Sequence, residues 1–512
     1  MLYKFLYYDS EISAVIKNIE DGDSFSVVRT CLPEMIERNQ IINPEDVELG
    51  QIIKYNRRSD IKLFGNADLD KYLSNILVPN IVHERDFVNQ IRNSSRKVII
   101  VSGIRRTGKT IGVQQYLRSV RKNNVSACYI VLIKKIDSNT LFDFIEANCQ
   151  DYDVICIDEI TKCIDFAEAS SWVSDYYVPS YNKTKVVLTG TDSYALELAS
   201  TSGLFDRATY INTSVVLYSE YRRIRNKSFK DYLDAATLYS QTELSFNTLT
   251  DLLSVTICNN ISESLYVNNK DMGMSKDELT YYVFYALIKQ SINSYTHDNL
   301  IGDSPITDKE TRRRIRSTAN RQVLEDLVAN SQIKFNKATF KNVVQMMHRM
   351  GVLVGIPNIL IYGDLEFYVA IPGVNCSIIR RYNSKILSIC NAEGLTVDSN
   401  NTVYGRIYEC LVATNLKKAG YDVYTCRNEN GTFEIDLVVK TDNYYYLLEV
   451  KSKSTKAADD FKHLRNLSVF EGQFNDLPIK TFVLYMGESE TKGTDCYLNI
   501  EEFLLNYITL LK

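Results

Sequence analysis

Eight consecutive residues constrain this chain more than any others: Gly103-Ile104-Arg105-Arg106-Thr107-Gly108-Lys109-Thr110. The run ahead of them, Lys97-Val98-Ile99-Ile100-Val101-Ser102, is short, apolar and rich in β-branched side chains, which suits a buried strand. Behind them, residues 111–121 space Ile111, Val113, Tyr116, Leu117 and Val120 for one buried helix face. Strand, glycine-bounded turn of G-x-x-x-x-G-K-[ST] spacing and helix together make the context of a phosphate-binding P-loop. The glycines let successive N–H groups turn inward toward phosphate oxygens, and the helix N-terminus adds positive potential. The spacing assigns Gly103 to Thr110 to ATP, with Lys109 reaching the β- and γ-phosphates and the Thr110 hydroxyl ligating Mg2+. An accidental glycine turn of the same spelling is disfavoured in a chain with only 21 glycines.

Residues 97 to about 224 continue to alternate strand-like and helix-like runs, the signature of a parallel α/β sheet. A second strand is read at 127–133, followed by a helix from Asn139 with Ser138 as its N-cap. The third, Val154-Ile155-Cys156-Ile157, ends in Asp158-Glu159. Downstream of a P-loop, two acids at a strand end read as the second half of an NTPase site. Asp158 is assigned to Mg2+ through water, and Glu159 to orienting and deprotonating the attacking water. The fourth strand, 185–190, ends in Thr191-Asp192-Ser193. Thr191 is chosen as the residue that touches the γ-phosphate or the lytic water, with a helix cap as its other reading. The resulting P-loop domain spans 68–224 and is entered through residues 68–92, an amphipathic segment broken at Pro79.

At 512 residues the chain exceeds one core and calls for about three domains. A net charge of −4 makes no case for a nucleic-acid-binding surface overall, though local basic patches stay open. Eleven cysteines occur with no C-x-x-C pair and no Cys/His metal spacing, which fits a reducing cytoplasm. The first residues lack the apolar core and cleavage site of a signal peptide, and no run reaches the ~18 apolar residues of a membrane helix. A cytoplasmic protein with no membrane partner is expected. Residues 1–67 form an N-terminal extension without a motif, and 31–54 suggests helical pieces.

The P-loop set resembles the AAA-type ATPases, which hydrolyse adenine nucleotide at a subunit or domain edge. Within them it is similar to prokaryotic ATPases that join an AAA module to a winged helix and a restriction-endonuclease-like C-terminal domain. In that family the sensor strand leads to a helix, a Leu-x-Gly-Arg-like element, a strand and a Phe/Tyr-rich acidic turn. Here stand SYALELAS, then Leu204-Phe205-Asp206-Arg207, then TYINTSVVLYSEYRR. Asp206 departs from the usual Gly. Arg207 is kept, and the resemblance implies an arginine finger that completes a neighbouring subunit's site in a homo-oligomer. A structural ion pair is its other reading.

Residues 225–390 show no catalytic spacing. Helical patterns at 275–295, 319–330 and 337–350 precede Gly351, two strand-like runs at 352–356 and 366–371, and Pro372-Gly373. Helices followed by a β-hairpin is the winged-helix order, and the resemblance includes it. Arg312, Arg313, Arg314, Arg316 and Arg321 form a basic run that could meet DNA phosphates, with a protein partner as the alternative. His348 reads as a core or hinge residue.

From 395 to 512 the order is α-β-β-β-α-β, taking residues 421–425 as the first strand, and it carries Glu409, Asp436, Glu449 and Lys451. Glu449 and Lys451 are two apart on a strand and so share a face. Carboxylates converging from a helix and two strands would bind Mg2+, and the lysine would steady the attacking water and the transition state. This resembles the PD-(D/E)XK nuclease core, with Asp436 and Glu449-Val450-Lys451 as its two motifs and Arg427 as the arginine before them. The expected fold class is α/β: a P-loop AAA-type parallel sheet, a helical winged-helix domain, then a PD-(D/E)XK nuclease-like domain. The expected function is ATP hydrolysis coupled to a DNA-directed, nuclease-like C-terminal domain. The competing expectation is an ATP-dependent protein-interaction switch with an inactive C-terminal domain.

Overall fold

In a computed structural model the described residues are 60–76, 83–105, 107–179, 183–234, 259–268, 274–298, 335–392, 399–428 and most of 433–511, with four short strands before residue 43. Those strands, β1 (Tyr3–Tyr8), β2 (Ser13–Asn18), β3 (Ser24–Val28) and β4 (Ile41–Ile42), form an antiparallel sheet in the order β3-β2-β1-β4. The apolar run of β1, YKFLYY, has no period-two alternation, so its strand character was not legible. The helical pieces expected at 31–54 lie outside the described residues, except Ile41–Ile42, which is strand.

The second sheet holds the P-loop. Its strands are β5 (Ile61–Gly65), β6 (Val98–Ser102), β7 (Ala127–Leu132), β8 (Val154–Asp158), β9 (Lys185–Thr189) and β10 (Ala208–Asn212), in the order β10-β6-β9-β8-β7-β5. All neighbours run parallel except β5, which pairs antiparallel with β7 at the edge. The sheet therefore takes in residues ahead of the 68–224 bounds read from the sequence.

Every residue of β6 and β8 is buried, because helices cover both faces. On one face lie α1 (Asn66–Ile76), α2 (Asp86–Asn93) and α3 (Lys109–Lys122), packed over Ile99, Val101, Cys156 and Val187. On the other lie α4 (Ser138–Asn148), α5 (Phe166–Ala169), α6 (Ser171–Tyr177) and α7 (Ser193–Thr201), packed over Ile100, Ile157 and Leu188. The cap of α4 is Asp137, whose Oδ1 accepts from the Thr140 N–H at 2.8 Å. Ser138, expected in that place, is the first helical residue and is held by Asp165 instead.

After β10 come α8 (Tyr218–Arg225), α9 (Phe229–Asp234), α10 (Asn259–Asn268), α11 (Lys276–Asp298) and α12 (Lys337–Arg349). Next is a two-stranded hairpin of β11 (Leu353–Pro357) and β12 (Leu365–Val369), and then α13 (Pro372–Ala392). Pro372, at which the second strand-like run is read to end, also opens this helix, as proline can at a first turn. The turn out of α12 is Gly351, at φ +72, where an added Cβ would lie 2.3 Å from the Asn212 side chain. His348 is half-buried, with Nδ1 3.1 Å from the Leu353 carbonyl and its ring edge-on to Phe367, so it ties helix to hairpin. The basic run at 312–321 and the helix expected at 319–330 lie outside the described residues.

The C-terminal unit begins with α14 (Ser399–Lys418) and strands β13 (Asp422–Arg427), β14 (Glu434–Lys440) and β15 (Tyr445–Val450). It continues through β16 (Ile479–Tyr485), β17 (Glu490–Lys492), β18 (Asp495–Asn499) and α15 (Ile500–Leu510). The sheet order is β13-β14-β15-β16-β18-β17, so the expected α-β-β-β and later β are joined by two further strands and a closing helix. Most of the helix expected at 457–473 lies outside the described residues. One apolar cluster runs from Tyr218 and Tyr232 through the helices to Leu411, Leu448 and Phe503, welding the C-terminal unit to the rest.

Candidate functional site

β6 delivers the chain into the loop at Gly103, whose φ of +146 and contact with the Thr213 hydroxyl leave no place for a side chain. The loop closes at Gly108, φ +80, the N-cap of α3. The residues following β10 brace it from beside. The Thr213 hydroxyl donates to the Ser102 carbonyl at 2.9 Å and lies 2.9 Å from Thr107 Oγ1, while the Ile104 N–H donates to Ser214 Oγ at 3.4 Å. Thr107 Oγ1 in turn donates to the Ile104 carbonyl at 3.0 Å. Ile104 and Thr107 are buried, Arg105 and Thr110 exposed, and Arg106 lies outside the described residues.

Lys109 is 7% exposed, and its ammonium donates to the carbonyls of Gly103 (2.5 Å) and Ile104 (2.9 Å). Burial pushes its pKa down to about 8, against the pull of Glu159 and Asp158. A buried cation resting on two carbonyls is what a bound anion would relieve, so the loop fits a phosphate. Thr110 at the head of α3 and Asp158 on a nearby strand end suit Mg2+, which takes one or two protein oxygens and fills the rest from phosphate and water. Such an ion would supply charge neutralisation at the phosphates.

Asp158 ends β8, 4% exposed, with Oδ2 accepting from Tyr129 OH at 2.7 Å and Oδ1 from the Glu159 N–H at 2.9 Å. Glu159 then turns into the left-handed region, φ +58, a conformation that costs a non-glycine residue about 1–2 kcal/mol. The turn brings its carboxylate to Thr191, whose Oγ1 donates to Glu159 Oε2 at 3.1 Å. The cap of α7 is Asp192, which accepts from the Tyr194 and Ala195 N–H groups. The cap therefore belongs to Asp192 and not to Thr191, whose hydroxyl meets Glu159 instead.

Arg207 lies just ahead of β10, at the end of the strands opposite the loop. Ala208 pairs with Val98 at the start of β6, whereas the loop leaves from the end of β6. Half-exposed, its guanidinium donates to Ser174 Oγ at 2.6 Å and lies 3.4 Å from Asp175 Oδ1. It therefore takes no part in its own chain's loop. Asp206 sits at φ +54, a backbone conformation that glycine adopts freely, and its carboxylate holds Arg96 at 2.7 Å.

In the C-terminal sheet Asp436, Glu449 and Lys451 come together. The Lys451 ammonium donates to Glu449 Oε1 at 2.6 Å, and Asp436 Oδ2 accepts the Val450 N–H at 2.7 Å. Burial, then the charge of Asp436, raises Glu449 to about 7; burial works against the Lys451 charge, but Glu449 and Asp436 hold its proton on. Glu409, expected as a third ligand, is not with them. Its Oε1 accepts from Tyr368 OH of β12 at 3.1 Å. The reason lies in the strand's alternation: Leu448 and Val450 face the cluster containing Ile407 and Leu411 of α14, and Glu449 points the other way. Among the described residues no three His, Cys, Asp or Glu side chains are grouped to hold a metal ion, so the expected three-carboxylate Mg2+ site does not fit. Arg427 is likewise engaged elsewhere, 3.3 Å from Asp364 and 3.5 Å from Glu366 of the hairpin.

Sequence reasoning missed the braces of the site: Tyr129, Thr213 and Ser214. None belongs to a spacing motif; each acts through a fold-made neighbour. The one legible signal was position, since Thr213-Ser214 follow a strand that a parallel sheet sets beside the P-loop strand.

Residues 95–222 match the family described as an AAA domain, and residues 404–503 match a domain of unknown function, DUF4143. No curated protein sequence matches the chain. Among solved structures, the Walker-type ATPase PABY2304 of Pyrococcus abyssi is 13% identical, covering 58% of this chain and 96% of its own, with a TM-score of 0.27. The ORC2 protein of Aeropyrum pernix is 10% identical, covering 67% of this chain and 95% of its own, with a TM-score of 0.25. Among the described residues no helix is long and apolar enough to cross a membrane. By its matched segment and its loop geometry, residues 95–222 of the chain form an AAA-type P-loop domain.

Proposed function

We propose that this protein binds ATP with Mg2+ at Gly103–Thr110 and Asp158, hydrolyses it with Glu159 as the base, and uses the cycle to move its C-terminal units on DNA. The observation that carries the hydrolytic reading is the strained turn at Glu159, φ +58, which presents its carboxylate to Thr191 beside Asp158. Strain of this kind persists where surroundings over-determine it, as at a working site. The DNA target rests on the family resemblance of the sequence. Glu159→Gln tests the proposal: ATP binding should stay near the parent's while steady-state turnover falls by about 100-fold or more. Parent-like turnover would remove Glu159 from its role.

For the C-terminal unit a second reading has a specific observation in its favour. Glu409 and Arg427, which the nuclease reading would place at the cleavage site, are both engaged by the hairpin, at Tyr368 and at Asp364 and Glu366. That favours an ATP-dependent interaction switch over a Mg2+-dependent deoxyribonuclease. Incubating the purified chain with DNA, ATP and Mg2+ or Mn2+ separates them. Cleavage that Asp436→Ala and Lys451→Ala both abolish would restore the nuclease.

A further inference from the structure

Arg85 is 2% exposed, one of the largest fully buried side chains among the described residues, yet it belongs to neither the loop nor the strand-end acids. It precedes α2. Its Nε donates to Glu220 Oε1 at 2.6 Å and one terminal nitrogen to Glu220 Oε2 at 3.4 Å. The other terminal nitrogen donates to the carbonyl of Thr107, inside the P-loop. The Arg85 N–H is fixed on Gln115 Oε1 of α3 at 3.1 Å, and the guanidinium lies 5.1 Å from the Phe87 ring centroid. Glu220, 4% exposed on α8, also accepts the Asp86 N–H at 2.9 Å.

Stability does not explain this arrangement, because a buried ion pair replaced by apolar groups of similar volume is commonly as stable or more so. What an apolar pair cannot do is hold the Thr107 carbonyl. In a trans peptide the C=O and the following N–H point in opposite directions. Locking the Thr107 carbonyl toward Arg85 therefore aims the Gly108 N–H away from Arg85, at the start of α3, where a cradle for phosphate needs its donors.

We propose that Arg85, charge-balanced by Glu220, is a positioning residue for the phosphate loop, setting the peptide between Thr107 and Gly108 before nucleotide arrives. This rests on the nucleotide reading of the loop. Because α8 also meets the C-terminal unit, through the Tyr218 N–H on Asn415 Oδ1 at 2.9 Å and Tyr218 OH on Glu501, the same pair links loop geometry to the seating of that unit.

The test compares the full-length parent with Arg85→Met/Glu220→Leu, Arg85→Lys and Arg223→Met. The double variant removes both charges and should melt close to the parent, whereas its ATP Kd and KM should rise roughly tenfold or more, the loss of one charge-assisted hydrogen bond. Its kcat at saturation should hold within about threefold, since Glu159 and Thr191 are untouched. Arg85→Lys keeps the charge opposite Glu220 but not the fork that reaches two partners, and it should show the same KM–kcat split. Arg223→Met removes the neighbouring clamp on Glu84 and Asp86, which does not reach the loop, and should bind ATP like the parent. In nucleotide-free protein, amide exchange at Gly108, Lys109 and Thr110 should quicken by about tenfold in the double variant and in Arg85→Lys. Parent-like exchange in both, or parent-like Kd in both where the parent binds ATP, overturns the proposal. A parent that binds no ATP would sink the nucleotide reading, and the exchange arm would still decide the role of Arg85.

Discussion

Lys109 shows how a single residue can be costly to the empty fold and necessary to the filled one. Burial holds its pKa near 8, against 10.5 in the unfolded chain. Between those values the unfolded chain carries a proton that the folded, nucleotide-free protein has shed, so stability rises with pH through that window. A bound triphosphate favours the charged form, so binding takes up a proton there. ATP affinity is expected to be flat from pH 7 to 8 and to weaken toward ~tenfold per pH unit above it, as measured by calorimetric titration. Affinity unchanged to pH 10 would contradict the burial argument. Lys109→Met should abolish turnover yet raise the melting temperature of the nucleotide-free protein. Thr191→Ala belongs to the same scale. Losing one hydrogen bond to a charged group, it should lower kcat roughly 10- to 100-fold with little change in KM. An unaltered kcat would leave Thr191 a bystander.

At the scale of elements, alternation along a strand decides which acids can cooperate. Asp436 and Glu449 meet because β14 and β15 pair side by side, and Lys451 joins them two residues on. That much was legible from Glu449-Val450-Lys451. The exclusion of Glu409 was not, because it depends on which face of β15 receives α14. Glu409→Gln should therefore leave any metal binding at Asp436 unchanged and cost about 1 kcal/mol in chemical denaturation, through the weaker bond with Tyr368. Lost metal binding would return Glu409 to the ligand set. The same contrast holds in the first half. The loop and the Asp158-Glu159 strand end were written in spacing, whereas Asp192 rather than Thr191 as cap was set by which side chain could reach the N–H groups of α7. The hairpin, read as part of the winged-helix order, is held by the chain's own β13: the Ile359 N–H donates to the Thr425 carbonyl at 2.9 Å, and Asn358 Nδ2 to that of Arg427 at 3.0 Å.

For the whole molecule, Arg207 stands a strand's length from its own loop, so the arginine-finger expectation requires a neighbouring subunit. Turnover per chain should rise with protein concentration, and mixing Arg207→Ala with Lys109→Ala chains should restore part of the lost activity. Absence of both effects would leave Arg207 as a brace for Ser174 and Asp175. The N-terminal sheet was not legible in the sequence, because β1 lacks alternation, and neither was the continuous core that joins Tyr218 to Phe503. Such contacts are made between residues far apart in sequence, where no local period records them. The hairpin's grip on β13 has one more consequence, for solubility. β13 is the outer strand of its sheet, and an outer strand is the kind that can template edge-to-edge aggregation. The bridge from Asn358 to Thr425 covers part of that edge, and the opposite edge, β17, is only three residues long. Without the hairpin's hold, that border would be open to pairing with another chain.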